Sequence, residues 1–328
     1  MLMSHYLLTG ASGFVGRHLL DRLLAAGHRV AAVARRADWI AAASARPECL
    51  RKGDAPPALT LFQGDLADPG FVERIWEKEG SFDAVLHFAA MIPADIKGVA
   101  EEFTYAQYIH NNVTATATLL DTMIRRRQRP PFIYASSISV FGRVDRLPLT
   151  EDHPTCPADI YGLSKLQGEE VIRLAAASGA VRAVVLRYPG MIGIGNDYGA
   201  VHFFITRVMA GQPISVYGHG RPRKDYIAVE DVAEAALRAL EHADKFDFEI
   251  FHIGGCAPGV PPAPLVEVAR WVAEACGGGK VETNDRPPAQ PENMYFDNVK
   301  AHNLLGYTPV PLADRVRKYV ALRKASGK

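Results

Sequence analysis

Tyr161 and Lys165, in the run Tyr161-Gly162-Leu163-Ser164-Lys165, are the residues of this chain best suited by type and spacing to move a proton. Four apart on a helix, they share a face. An ammonium near a phenol lowers the phenol's pKa from its ordinary value of about 10, which brings proton donation and acceptance toward neutral pH. Such a pair also arises by chance on surface helices. Its meaning comes from two earlier segments: Ser136-Ser137, at the end of an apolar run, and the glycine-rich Thr9-Gly10-Ala11-Ser12-Gly13-Phe14-Val15-Gly16.

The glycine segment stands between an apolar run at Tyr6–Leu8 and a helical pattern from Phe14. At a first strand-to-helix junction, Gly10 permits the tight turn. Gly13 lets backbone N–H groups reach a pyrophosphate, and Gly16 lets the helix approach the sheet. The second strand ends Val33-Ala34-Arg35-Arg36, with no acid to hold ribose hydroxyls. Two guanidiniums there favour a 2′-phosphate, so NADP(H) is the expected cofactor and NAD(H) the alternative. Asp65, after the third strand, either bonds an adenine amino group or caps the next turn. His87-Phe88-Ala89-Ala90 ends the fourth strand: the alanines leave room for a cofactor against the backbone, and His87 reads as a packed core histidine.

Positioning these groups takes an alternating scaffold. Strands are expected at Tyr6–Leu8, Arg29–Ala34, Leu59–Gln63, Ala84–Phe88, Phe132–Ser136 and Arg182–Arg187, with helices at Phe14–Ala26, Phe71–Lys78, Ala106–Arg126 and Ile160–Ala177. That rhythm implies a doubly wound parallel sheet with helices on both faces. After about Tyr188 it breaks, and proline and glycine become denser. Residues 1–188 read as the nucleotide-binding part and 189–328 mostly as a smaller α/β cap, with elements near 224–255 returning to the sheet. Helical patterns persist at Val229–His242, Leu265–Cys276 and Leu312–Leu322.

With 37 Lys+Arg against 36 Asp+Glu, no strong field favours nucleic acid or an anionic membrane. The run Arg125-Arg126-Arg127 with Arg129 reads as the solvated end of a helix. Cys49, Cys156, Cys256 and Cys276 are scattered, and no cysteine or histidine cluster has metal spacing. Free thiols and a cytoplasmic location follow as expectations. No apolar run is long enough to span a bilayer.

Taken together, TGASGFVG at 9–16, GDL at 64–66, HFAA at 87–90, Asn112-Val113, SSISVFG at 136–142, YGLSK at 161–165, LRYPGMIG at 186–193, KDYIAVED at 224–231 and FDNVKAHNLLGY at 296–307 resemble the extended short-chain dehydrogenase/reductase family over nearly the whole chain. The resemblance implies a Rossmann sheet and a substrate-binding cap. It makes Ser137 the residue that hydrogen-bonds the reacting oxygen, Tyr161 the acid/base, Lys165 the group that holds the nicotinamide ribose, and Asn112 a support for the lysine. Cofactor contacts are then implied at Gly10, Ser12, Gly13, Phe14, Val15, Gly16, Arg35, Arg36, Asp65, Leu66, Phe88, Ala89, Ala90 and Pro189, besides Tyr161 and Lys165.

Ile214-Ser215-Val216-Tyr217-Gly218 is similar to the strand that grips the base of a nucleotide sugar, and Arg286 to an arginine that pairs with its diphosphate. Met91, Ser137, Ser215, Tyr217, Lys224 and Arg286 are thus the expected substrate residues. Pro189-Gly190 replaces the Phe-Asn usual in the sugar-nucleotide epimerases, and Lys224 stands where Arg is frequent. Ile138-Ser139 replaces the Asp-Glu of the dehydratases, which argues against water elimination.

The resulting expectation is an NADP(H)-dependent oxidoreductase acting on a carbonyl or hydroxyl of a nucleotide-linked sugar. The alternative is an epimerase that oxidises the sugar transiently with the same residues. A non-catalytic NADP-binding regulator would have no reason to keep Ser137, Tyr161 and Lys165 together. The resemblance also implies a homodimer.

Overall fold

Residues 3–44, 58–93, 103–287 and 291–325 are described by the structure, a computed structural model. Seven strands form one sheet: β1 (His5–Thr9), β2 (Arg29–Ala34), β3 (Leu59–Gln63), β4 (Ala84–His87), β5 (Pro131–Ser137), β6 (Arg182–Tyr188) and β10 (Phe248–His252). Their order is β10-β6-β5-β4-β1-β2-β3, and every pairing is parallel. The order reverses beside β1, which opens a crevice outside the strand ends there.

Alternation along the strands feeds two cores. Tyr6, Leu8, Val30, Ala32, Ala84 and Leu86 pack on one face with Leu19, Leu20 and Leu23 of α1 (Phe14–Ala25). Leu7, Ala31, Val33 and Val85 pack on the other, with Phe71, Val72, Ile75 and Trp76 of α3 (Pro69–Glu79). Both faces are covered, so the strands read as continuous apolar runs. Helix α2 (Ala37–Ser44) follows β2; it is short, its only buried residue is Ala43, and the sequence reading omitted it.

Helix α4 runs over residues 105–125 but is not uniform. Tyr105–Tyr108 and Ala115–Arg125 are α-helical, and Ile109–Thr114 between them is a π-helix. The sequence pattern predicts one unbroken helix, because a π segment leaves no simple mark on apolar periodicity. Helix α5 spans Ile160–Ala177, with Asp159 capping it by accepting from Gly162 N–H at 2.7 Å. The basic run after α4 is not simply solvated: Arg125 and Arg126 both grip Glu73 of α3, at 2.9 and 2.8 Å.

Beyond β6 the chain builds two small parallel sheets. β7 (Gly190–Ile192) pairs with β9 (Tyr226–Ala228), and β8 (Ile214–Val216) with β11 (Val281–Thr283). Of the stretch expected to return, β10 joins the large sheet and β9 stays with β7. Helices α6 (Gly199–Met209), α8 (Leu265–Cys276) and α10 (Leu312–Ala325) enclose a separate core with Ile214 and Val216. Helix α7 (Val229–His242) lies on the sheet beside α1, and α9 (Val299–Leu305) packs with it. Helices α6 and α9 were not anticipated from the sequence. Cys156, Cys256 and Cys276 are free thiols; Cys49 lies outside the described residues.

Asp225, 4% exposed, ties these parts together. Its carboxylate accepts from Gly255 N–H at 2.9 Å and Phe296 N–H at 3.3 Å, joining the start of β9 to the chain after β10 and to the C-terminal segment. Burial raises its pKa to about 6 despite those bonds. The folded state therefore holds this proton more tightly than the unfolded chain. The stability this contributes is complete below pH ~4 and is lost as pH rises through about 6. Urea midpoints measured from pH 4 to 7 should show this loss in the wild type and lack it in Asp225→Asn. Asp225→Ala, which strands two buried N–H groups, should cost about 2–4 kcal/mol.

Candidate active site

A cleft of about 540 Å³ opens along the C-terminal ends of the strands. Its wall includes Gly10, Ser12, Gly13, Phe14, Val15, Gly16, Arg35, Arg36, Asp65, Leu66, Phe88, Ala89, Ala90, Tyr161 and Lys165. The glycines there are sterically required. Gly10 has φ +72°, and a Cβ on it would lie 2.6 Å from the Ala89 nitrogen. A Cβ on Gly16 would come within 2.1 Å of the Gly10 carbonyl oxygen. The cradle is thus formed of bare backbone ending at the N-terminus of α1, an electropositive site suited to a pyrophosphate. The wall runs from Asp65 beside β3 to Tyr161 on α5, so a dinucleotide held on this cradle would have its adenosine by β2 and β3 and its nicotinamide by α5.

At the adenosine end the two arginines are already engaged. Arg36 bonds the Asp38 carboxylate, with Nε to Oδ1 at 3.2 Å, and Arg35 donates to Asn111 Oδ1. Asp65 stands in the cleft wall and also caps the turn after β3: its Oδ1 accepts from Ala67 N–H at 2.9 Å and its Oδ2 meets His110 Nε2 at 2.9 Å. Burial raises its carboxyl pKa, but the Ala67 and His110 bonds and the charge of Arg35 hold it below the usual value.

At the other end, Tyr161 and Lys165 face the cleft one helical turn apart. Lys165 is 2% exposed, and its Nζ stands 4.1 Å from the centroid of the Tyr134 ring. Burial pulls its pKa down to about 7, against the opposing charge of Glu169. The phenol of Tyr161 is pushed up to about 12 by burial, with a hydrogen bond from Ser137 pulling the other way. The sequence argument expects the ammonium to depress this phenol; here burial raises it, and the opposing pull comes from Ser137 and not from Lys165. Ser137 Oγ also accepts from Ser139 N–H at 3.2 Å. Ser137 is not among the residues of the cleft wall, to which the same strand contributes Ala135 and Ser136.

Asn112, 1% exposed and on the π-helical segment, clamps the chain after β4. It accepts from Met91 N–H at 2.7 Å, donates to the Met91 carbonyl at 3.0 Å and donates to Ser164 Oγ at 2.8 Å. Ser164 in turn donates to the Tyr161 carbonyl at 2.8 Å. A directed chain reaches Asn112 from β1. Thr9 Oγ1 accepts from Ala89 N–H and donates to His87 Nδ1 at 2.7 Å. His87 Nε2 donates to Thr116 Oγ1 at 3.0 Å, because Thr116 gives its own proton to the Asn112 carbonyl at 2.7 Å. His87 stays neutral: burial, then the charge of Lys165, lowers its pKa to about 3. It is a packed histidine, as its sequence context suggests, but one with a fixed tautomer.

The expected substrate residues fall elsewhere. Ser215 and Tyr217 adjoin Arg286 through the β8–β11 pairing: Asn284 Nδ2 donates to Ser215 Oγ at 2.7 Å and Asn284 Oδ1 accepts from Arg286 N–H at 3.0 Å. Lys224 is half-buried, and its ammonium donates to the Pro291 carbonyl. Pro189 and Met91 are buried, and none of these residues lines the cleft. Asn111, Met191 and Tyr198 do line it and were not foreseen. Asn111 stood beside Asn112 and Met191 inside the LRYPGMIG run, both in segments the sequence had singled out, whereas Tyr198 carried no signal.

Fold, cradle and acid–base pair on one cleft define an NAD(P)-dependent enzyme of the extended short-chain dehydrogenase/reductase type. Within that class the chain belongs to the NAD dependent epimerase/dehydratase family, whose pattern matches residues 6–254. It is 28% identical to a UDP-glucose 4-epimerase of Azospirillum brasilense over 322 residues, covering 92% of this chain and 86% of that one. It is 30% identical to the UDP-glucose 4-epimerase of Drosophila melanogaster over 327 residues, covering 92% and 91%. Among solved structures, the UDP-glucose 4-epimerase of Thermus thermophilus in complex with NAD superposes with a TM-score of 0.75 at 26% identity, covering 97% of this chain and 98% of that one.

Asn112→Ala should be costly wherever the active residues act. It removes the side-chain partner of the Met91 N–H and carbonyl and the donor to Ser164 Oγ, a loss of about 2–4 kcal/mol. Denaturant unfolding of the purified variant, with no cofactor added, checks this; a change under about 1 kcal/mol would mean that the clamp is not needed to hold α4 on α5.

Proposed function

We propose that this chain is a nucleotide-sugar epimerase that inverts a carbinol centre of a UDP-linked sugar with a retained dinucleotide. The carrying observation is that Tyr161, Lys165 and the glycine cradle share one cleft, in a chain aligned almost end to end with proteins named as UDP-glucose 4-epimerases. This displaces the net-reductase expectation, which leaned on two free guanidiniums. With Arg36 held by Asp38 and Arg35 by Asn111, a 2′-phosphate would have to compete for both, so NAD is the proposed cofactor.

When bound, the nicotinamide supplies a reversible hydride acceptor. The chain's own residues handle the proton and the geometry. Tyr161 takes the proton from the sugar hydroxyl and returns it to the same oxygen. Ser137 hydrogen-bonds that oxygen, and Lys165 supplies the cation that a phenolate at Tyr161 needs in a dry site. Arg286, Ser215 and Tyr217, gathered on the β8–β11 edge, are the proposed anchors for the nucleotide diphosphate. Their binding energy orients a sugar that is otherwise free to present either face.

The test combines composition and turnover. Denaturing the purified protein should release NAD in near-stoichiometric amount; release of NADP would restore the arginine argument. Calorimetric titration should show UDP binding more tightly than GDP, CDP or dTDP, and binding of none of the four would remove the nucleotide-sugar assignment. Tyr161→Phe should lower epimerisation of the UDP-sugar by about 10²–10⁴-fold while the released cofactor is unchanged.

A homodimer is part of the same proposal. Helices α4 and α5 leave Tyr105, Ile124, Leu163 and Leu174 exposed, and Leu174 is 60% accessible. Pairing α4 and α5 of two copies would cover this apolar surface. Light scattering across the micromolar range should give twice the mass of the 35.8 kDa chain, and a monomer throughout would exclude the arrangement.

A further inference from the structure

Tyr161 and Lys165 are followed, one more turn along the same face of α5, by Glu169. Glu169 is 2% exposed and does not reach the cleft. Its carboxylate is held by two neighbours on adjacent strands. Ser136 of β5 and Arg187 of β6 are register partners, so their side chains leave the sheet on one face, toward α5. Ser136 Oγ donates to Oε1. Arg187 forks onto the carboxylate, with Nε to Oε1 at 3.0 Å and Nη2 to Oε2 at 2.6 Å. The arginine is itself buried, with its guanidinium 5.0 Å from the Phe141 ring centroid and Nη1 3.5 Å from His252 Nε2. His252 donates from Nδ1 to the Leu149 carbonyl at 3.1 Å, and burial with the Arg187 charge keeps it neutral.

A buried ion pair of this kind is weak evidence for stability, since apolar residues of the same volume serve as well. Its neighbour explains it better. Lys165 has been taken out of water among groups that carry no charge: the Tyr134 ring on β5, which offers only a cation–π contact, neutral His87 on β4 and Tyr161 on its own helix. Arg187, the other charge nearby, is engaged by Glu169. We propose that Glu169, one turn from Lys165 on the buried face of α5 and clamped there by Arg187 and Ser136, is a positioning residue that keeps the Lys165 ammonium charged at the foot of the cleft. The proposal rests on the site assigned above, but its physical content does not require the substrate. Burial brings Lys165 to about 7, and Glu169 is the group that opposes it. Without that carboxylate, Lys165 would be mostly neutral at pH 7 and unable to support a phenolate at Tyr161.

Titrating Lys165 directly in the cofactor-free protein tests this. Wild type and Glu169→Gln, labelled with ¹³C at lysine Cε, are followed by NMR over pH 5–10, with the Lys165 signal assigned by its loss in Lys165→Met. Glu169→Gln strands the Arg187 guanidinium and can fail to fold, so Glu169→Gln/Arg187→Gln and Arg187→Gln are measured beside it. The expected result is a Lys165 pKa lower by about one unit in Glu169→Gln than in wild type, and lower by a similar amount in the double variant than in Arg187→Gln, so that the guanidinium's own charge cancels from the comparison. A difference of no more than a few tenths in these comparisons, with or without a fall in melting temperature, would make Glu169 a structural brace and overturn the proposal. Activity enters only afterwards. If the protein epimerises no UDP-sugar, the function proposed above fails while the titration still stands. If it does, the alkaline limb of the kcat profile should move down in pH with Lys165.

Discussion

A single ammonium removed from water governs the layout of this molecule. Burying an uncompensated cation costs far more than a stable domain can spare, so every group around Lys165 is constrained. Tyr134 offers a ring face. His87 is kept neutral by burial and by the lysine itself. The neighbouring α4 turns an uncharged Asn112 toward the same region, and the one fixed anion among these neighbours, Glu169, is tied down by Arg187. The glycine cradle then needs only to bring a dinucleotide to a charge already in place. The acid–base role proposed for Tyr161 depends on that charge, because its own burial works against ionisation.

The scaffold was legible in the sequence where alternation was regular. Arg29–Ala34, Leu59–Gln63, Ile160–Ala177, Val229–His242 and Leu265–Cys276 coincide with β2, β3, α5, α7 and α8 end to end. Each has a plain period and a clear stop, and all but the edge strand β3 are largely buried along one face or both. Helices α2, α6 and α9 were missed because two bury little surface and the third begins among the glycines at 193–199. The π segment was invisible for another reason. It changes which residues share a face without changing their types, and its effect, turning Asn112 toward Met91 and Ser164, appears only in three dimensions.

The site divided in the same way. Glycines demanded by backbone contact were identifiable from spacing alone, since no other residue fits within 2.1 Å of a carbonyl oxygen. Charged residues were not. Arg35 looked available because its partner, Asn111, sits 76 residues away on another element, whereas the partner of Arg36, Asp38, stands two residues on and its carboxylate was in plain view. Lys224 likewise turned inward to a proline carbonyl. Pairing across the fold, rather than residue type, decides what a cation on this surface can still bind.

The large sheet also carries a constraint of timing. Strand β10 docks on β6 from far downstream, after β7, β8, β9 and their helices have intervened, and Ile253 N–H bonds the Arg187 carbonyl at 3.0 Å only at the end of that excursion. A ribosome-bound chain that has just released residue 200 therefore has β6 as a bare, apolar sheet margin, with Val184, Val185 and Leu186 in a strand that has one neighbour instead of two. Such margins recruit other strands. Synthesis must run through the peripheral part before the nucleotide-binding sheet can protect itself, so the two halves of this protein mature as one.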